Sequence, residues 1–197
     1  MSQENKLELP SSGYEVIQKI LHAYVLCGDK NVSLDEVAKK AAMHKSNVSR
    51  NNSFLQSINV LSGGKTKKLT PAGKSLSLAI SNKVQDDIIR QWYNVMMSSE
   101  SIRSVLDMIK VQGSLNKETF IGKSASILGL VDNKTIRTGL NCLLEILLKS
   151  GVLVEKDGNL SLGEAAPADQ SFQISESTPT TAVKSPIPSG DIVSDER

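Results

Sequence analysis

Turn signals divide the first eighty residues into short pieces, and the order of those pieces limits what the chain can fold into. Tyr14 to Cys27 places Ile17, Ile20, Leu21 and Tyr24 at i, i+3, i+4 and i+7, the spacing of an amphipathic helix. It stops at the turn cluster Gly28-Asp29-Lys30-Asn31. Ser33-Leu34-Asp35-Glu36 then reads as a capping box, with the Ser hydroxyl on the N3 amide and Glu36 reaching back. The short helix it opens is expected to bury Leu34, Val37, Ala38 and Ala41 and to end near Met43-His44. A third helix begins around Lys45-Ser46, with Val48, Leu55 and Ile58 in one sector of about 80° and Phe54 beside it. Asn59 suits a left-handed residue after that helix. Val60-Leu61 and Leu69-Thr70 read as short strands around the basic turn Ser62 to Lys68, and Pro71 opens a further helix behind a Thr cap.

A weaker copy of this order follows. Helices are expected over Asn82–Met97, with a stripe of Val84, Ile88, Trp92 and Val95, and over Ser101–Val111. A short helix over Asn116–Leu130 comes next, then a longer one capped by Asp132 that runs to about Lys149. Val152 to Leu162 is a hairpin with an Asp-Gly turn signal. Leu147 to Leu153 loosely matches Leu55 to Leu61. The expected fold is mainly α with small β-hairpin wings, in two tandem units. Residues 1–12 form a flexible arm, 13–81 a first unit and 82–163 a helical connector and second unit. Residues 164–197, with nine Ser/Thr and four Pro, are expected to be disordered because they bury too little apolar surface to offset their ordering entropy.

Charge follows the same divisions. The 197 residues carry a net charge of only +2, but residues 1–83 hold 12 basic and 6 acidic residues, residues 84–163 hold 9 of each, and the remainder 2 and 6. No Asp or Glu occurs between Glu36 and Asp86, a window that contains Lys39, Lys40, Lys45, Arg50, Lys65, Lys67, Lys68, Lys74 and Lys83. Such a run is often just a solvated face. Here it coincides with the third helix and the first hairpin.

The residues that carry a family resemblance are Ser46-Asn47-Val48-Ser49-Arg50, Leu55, Ile58, Asn59-Val60-Leu61 and Leu69-Thr70-Pro71-Ala72-Gly73-Lys74. Over roughly residues 13–80 the chain resembles the winged helix-turn-helix superfamily of DNA-binding proteins. One position departs from it. Asn52 stands where an apolar residue usually packs, so the middle of that helix is either slightly unwound or packed against a polar partner. The resemblance implies a recognition helix over 45–58 lying in the major groove. Arg50 would then suit guanine, Asn47 adenine if it points outward, and Lys45, Ser46, Ser49, Ser53 and Gln56 bases or phosphates. Lys65, Lys67 and Lys68 in the 62–68 wing would lie along the backbone. The implied role is double-stranded DNA binding in transcriptional regulation.

Chemistry other than binding has little support. Gly64-Lys65-Thr66 and Gly122-Lys123-Ser124 lack the earlier Gly of a phosphate loop, since Asn59 and Lys117 stand there. His22 and His44 are isolated, and Cys27 and Cys142 read as small apolar residues. Asp86 and Asp87 point apart on a helix. No enzyme activity, cofactor or metal site is therefore expected. No leader segment or membrane span is legible, and the expected location is the cytoplasm, on the nucleoid if DNA is the ligand. In the second unit Leu140, Leu143, Leu144 and Leu147 make the long helix apolar around more than half its circumference. They suggest either a homodimer or partner surface, or simply that unit's own core. Lys134, Arg137 and Asn141 remain as secondary DNA contacts. Two other readings stand beside DNA binding: a tandem winged-helix scaffold in a larger complex and, more remotely, RNA binding.

Overall fold

The computed structural model describes residues 6–163. The acidic Ser/Thr/Pro-rich segment 164–197 lies outside the described residues. The chain is mainly helical with small antiparallel hairpins, as its periodicity predicts. In the first unit α1 (Tyr14–Cys27) packs on α2 (Leu34–Ala41) and α4 (Pro71–Asn82), and α3 (Lys45–Ser57) follows α2 through a tight turn. The hairpin pairs β1 (Leu61–Ser62) with β2 (Lys68–Leu69), Leu61 opposite Leu69. Helix α5 (Gln85–Ser98) connects to the second unit, made of α6 (Glu100–Gln112), β3 (Leu115–Asn116), α7 (Lys117–Ile127), α8 (Lys134–Lys149), β4 (Leu153–Lys156) and β5 (Asn159–Leu162).

The two units repeat in detail. Asn59 follows α3 at φ 56° and Gly151 follows α8 at φ 71°, so each helix ends on a left-handed residue. Two residues later β1 and β4 begin, at Leu61 and Leu153. The Val60 carbonyl accepts the Thr70 amide at 3.0 Å, and the Val152 carbonyl accepts the Gly163 amide at 2.9 Å. Each hairpin also gains a third partner. Val32, between α1 and α2, bridges Lys67, and β3, between α6 and α7, pairs with β5. Neither third partner was legible as a strand, being one or two residues long. Asp157 (φ 53°) and Gly158 (φ 75°) make the two-residue turn of the second hairpin, both left-handed as that turn type requires.

Local ends differ from expectation in physical ways. Ser33 Oγ accepts the Glu36 amide at 3.3 Å, but the Glu36 carboxylate turns to Lys30 at 2.9 Å, so only half of the capping box forms. Helix α2 stops at Ala41, with Ala42 in the left-handed conformation. Helix α4 extends to Asn82, and Val84 caps α5 instead of joining its buried stripe. Asn133 caps α8 by accepting from the Thr135 and Ile136 amides; Asp132 instead engages Arg137. Asn52 is buried without unwinding α3, and its Oδ1 has no hydrogen-bond partner among the described residues.

The largest departure is in residues 7–12 of the segment expected to be a flexible arm, whose residues 1–5 lie outside the described residues. Leu7 is 4% exposed and Pro10 is buried. The Glu8 amide donates to Ser57 Oγ at 3.2 Å and the Ser11 amide to Asn51 Oδ1 at 3.0 Å, so residues 7–12 run along α3. On the other side Gly139 of α8 admits them, because a Cβ there would lie 2.6 Å from the Pro10 carbonyl oxygen. Helix α8 also packs on α1 and α5. Where they meet, Trp92 Nε1 donates to the Tyr14 hydroxyl at 3.1 Å, and the Lys149 ammonium lies 5.2 Å from the Tyr14 ring centre. One core therefore runs through both units.

Burial in that core sets an alkaline limit on stability. It pushes the Cys142 thiol from 9.0 up to about 12, with the Glu145 charge adding to the effect. It likewise pushes the Tyr24 hydroxyl from 10.0 up to about 12. The folded chain keeps both protons where the unfolded chain releases them. This contribution is therefore complete below about pH 9 and is lost as pH rises towards 12. Thermal midpoints should be level from neutral pH to about 9 and then decline; a level profile to pH 12 would contradict this assignment.

Candidate nucleic-acid interface

Helix α3 presents its candidate residues because its apolar set faces the other way. Val48, Phe54 and Leu55 are buried, with Ile58 just beyond the helix. Lys45, Ser49, Ser53 and Gln56 are exposed along one stripe, and Arg50 is exposed at its edge. His44 caps the helix: its Nδ1 accepts the Ser46 amide at 3.3 Å and lies 2.7 Å from Ser46 Oγ. This role was not legible from an isolated histidine, and it holds the Ser46 hydroxyl at the helix start. Asn47 is exposed but lies one turn before Asn51, on the flank that the arm follows, so it stands apart from the stripe.

The wing is fixed to the helix. Gln56 Nε2 donates to the Gly63 carbonyl at 2.9 Å. Lys67 Nζ donates to the Gly63 and Gly64 carbonyls at 3.3 and 2.9 Å, closing the turn that it was expected to extend from. Gly63 has φ 110°, and a Cβ there would strike the Thr66 carbonyl, so only glycine fits. Lys65 and Lys68 are exposed. Gln56 and Lys67 thus hold the wing in place, leaving Lys65 and Lys68 as its outward cations.

Acids from before the acid-free window fold onto part of it. Lys74 pairs with Asp29 at 2.6 Å, and this hydrogen bond holds the Asp29 carboxyl below its ordinary value. Lys45 lies 3.5 Å from Asp35 at the start of α3. Both pairs are exposed, where the attraction is weak enough for another anion to compete. Among the described residues, Lys39, Lys40, Arg50, Lys65 and Lys68 make no contact ion pair, and the charge of Lys68 reaches Asp29 and helps to hold that carboxyl down. A face of hydroxyls and cations remains, suited to an extended anion.

No protein-family model, curated protein or solved structure matches the chain.

The corresponding face of the second unit is different. Arg137 Nε and the Arg137 terminal nitrogens engage both Asp132 oxygens at 2.9 and 2.8 Å and Glu118 at 2.9 Å. The Arg137 hydrogen bond holds the Asp132 carboxyl down, and the two carboxylates push the guanidinium up. Asn141 Nδ2 donates to the Arg137 carbonyl at 2.8 Å. A guanidinium already held by two acids has little to offer a phosphate, and Lys134 is left as the exposed cation of α8 without an acidic partner among the described residues. Leu140, Leu143, Leu144 and Leu147 are all buried. They belong to the chain's own core and present no leucine side chain at its surface. Their burial on more than one side follows from α1 and α5 packing on α8 in addition to α7.

Among the described residues no three His, Cys, Asp or Glu side chains gather to hold a metal ion, and no helix is long and apolar enough to cross a membrane.

Proposed function

We propose that the chain binds double-stranded DNA through the exposed face of α3 and the 62–68 wing. The observation that carries this reading is the exposed stripe of Lys45, Ser49 and Ser53 with Arg50 at its edge, beside a wing that Gln56 ties to α3 through Gly63 and that carries exposed Lys65 and Lys68. Only one acid-paired cation, Lys45, lies among them. A helix of this exposure beside a basic hairpin fits a groove and an adjacent backbone strand. Transcriptional control is the setting that the winged helix-turn-helix resemblance implies; the geometry supports the binding step. The experiment is a duplex titration followed through backbone amide resonances. Perturbations should gather in residues 45–56 and 62–68. Perturbations confined to residues 115–162 would place the contact elsewhere and defeat the proposal.

A second reading, a scaffold within a larger assembly, is favoured by two aliphatic side chains of the second unit. Val111 and Val131 are 86% and 81% exposed. In that reading the basic face meets an acidic protein, and the titration gives no response to duplex DNA at low salt.

A further inference from the structure

We infer that the duplex contact is sequence-tolerant, made mainly to the sugar-phosphate backbone. This inference rests on the duplex-binding reading above and narrows its ligand to DNA of any sequence. A recognition helix with its side chains is about 10–12 Å across and fills a major groove about 12 Å wide. Helix α3 does not stand alone at that width. Residues 7–12 lie along its flank, tied by the Glu8 amide to Ser57, the Ser11 amide to Asn51, and Asn51 Nδ2 to Ser12 Oγ at 3.1 Å. Buried Leu7 and Pro10 anchor the segment, and beyond it stands Gly139 of α8. An extended chain adds about 5 Å to that side. The flank is therefore walled by the arm and the second unit, and α3 meets the duplex by its free edge.

The side chains on that edge are poor readers of bases. Base discrimination relies on paired donors and acceptors, as when Arg meets guanine or Asn or Gln meets adenine. The Gln56 amide is engaged by Gly63, and Asn47 lies on the arm's flank. Ser49 and Ser53 accept or donate to any base or phosphate. Arg50 is left as the one forked donor, beside the arm at the edge of the stripe. Contacts from hydroxyls and lysines to phosphates fix position and carry no sequence information, and a single Arg50 fork discriminates at no more than one base pair.

The test is a competition between duplexes selected from a random pool and the unselected pool, at one salt concentration, for the full chain and for Arg50→Ala. Selected duplexes should bind no more than about tenfold better than the pool, and Arg50→Ala should weaken both equally. A larger preference, lost selectively in Arg50→Ala, overturns the inference while leaving duplex binding intact. Absence of affinity for either set at low salt removes the duplex-binding reading, and the inference with it.

Discussion

Gly73→Ala should destabilise the chain by about 3 kcal/mol, at the upper end of ordinary overpacking. Gly73 lies in the first turn of α4, where a Cβ would fall on the Val60 carbonyl oxygen and 2.9 Å from its carbon. That carbonyl has no room to yield. It accepts the Thr70 amide at 3.0 Å, while the Thr70 hydroxyl donates to the adjacent Asn59 carbonyl at 2.7 Å and caps α4 by accepting the Gly73 amide at 3.0 Å. One methyl therefore opposes the hairpin closure and the helix cap together. Gly122→Ala is the matched control: it is exposed inside α7 with nothing within 4 Å of its Cβ position. There the same change should stabilise by up to about 1 kcal/mol through helix propensity. Denaturant midpoints of the two variants should move in opposite directions. A neutral Gly73→Ala would mean that the junction between hairpin and α4 is looser than described.

Much of the fold was legible because its signals are local. Thr70-Pro71 and Asn59 are single-residue statements about backbone conformation, and each appears where its chemistry requires. The buried stripes of α1, α3, α5 and α6 follow from periodicity, which records one face packed and one face wet. Two features were illegible for the same reason: each depends on residues distant in sequence. Residues 7–12 have no periodicity of their own and become ordered only by meeting α3 and α8. Helix α8 has apolar residues on more than one side, and nothing local says whether a partner or the chain itself covers them. At the candidate site, exposure of Ser49, Arg50 and Ser53 was readable from the apolar set opposite. The ties that occupy Gln56 and Lys67 were not, because they depend on the path of the wing backbone. Pairing of Lys74 and Lys45 with acids outside the acid-free window was hidden likewise, since linear charge counting ignores folding.

Removing the two outward wing cations should produce the largest change in function. Lys65 and Lys68 are exposed and hold no part of the wing, whereas Lys67 closes its turn and is left in place. With Arg50, and with Lys45 once it exchanges Asp35 for a phosphate, about four phosphates are neutralised. The logarithm of the duplex association constant should then fall with the logarithm of salt at a slope near −3.6, about 0.9 per phosphate. Raising salt from about 50 to 200 mM would weaken the full chain by about 150-fold. In Lys65→Ala/Lys68→Ala the slope should shrink to about −1.8, and the same change in salt should cost only about 12-fold.

Measuring that slope for both proteins tests most directly whether α3 and the wing form the binding face. The expected slope is near −3.6 and halves in the double variant. An unchanged slope in the double variant, or no duplex affinity at about 50 mM salt, would contradict it.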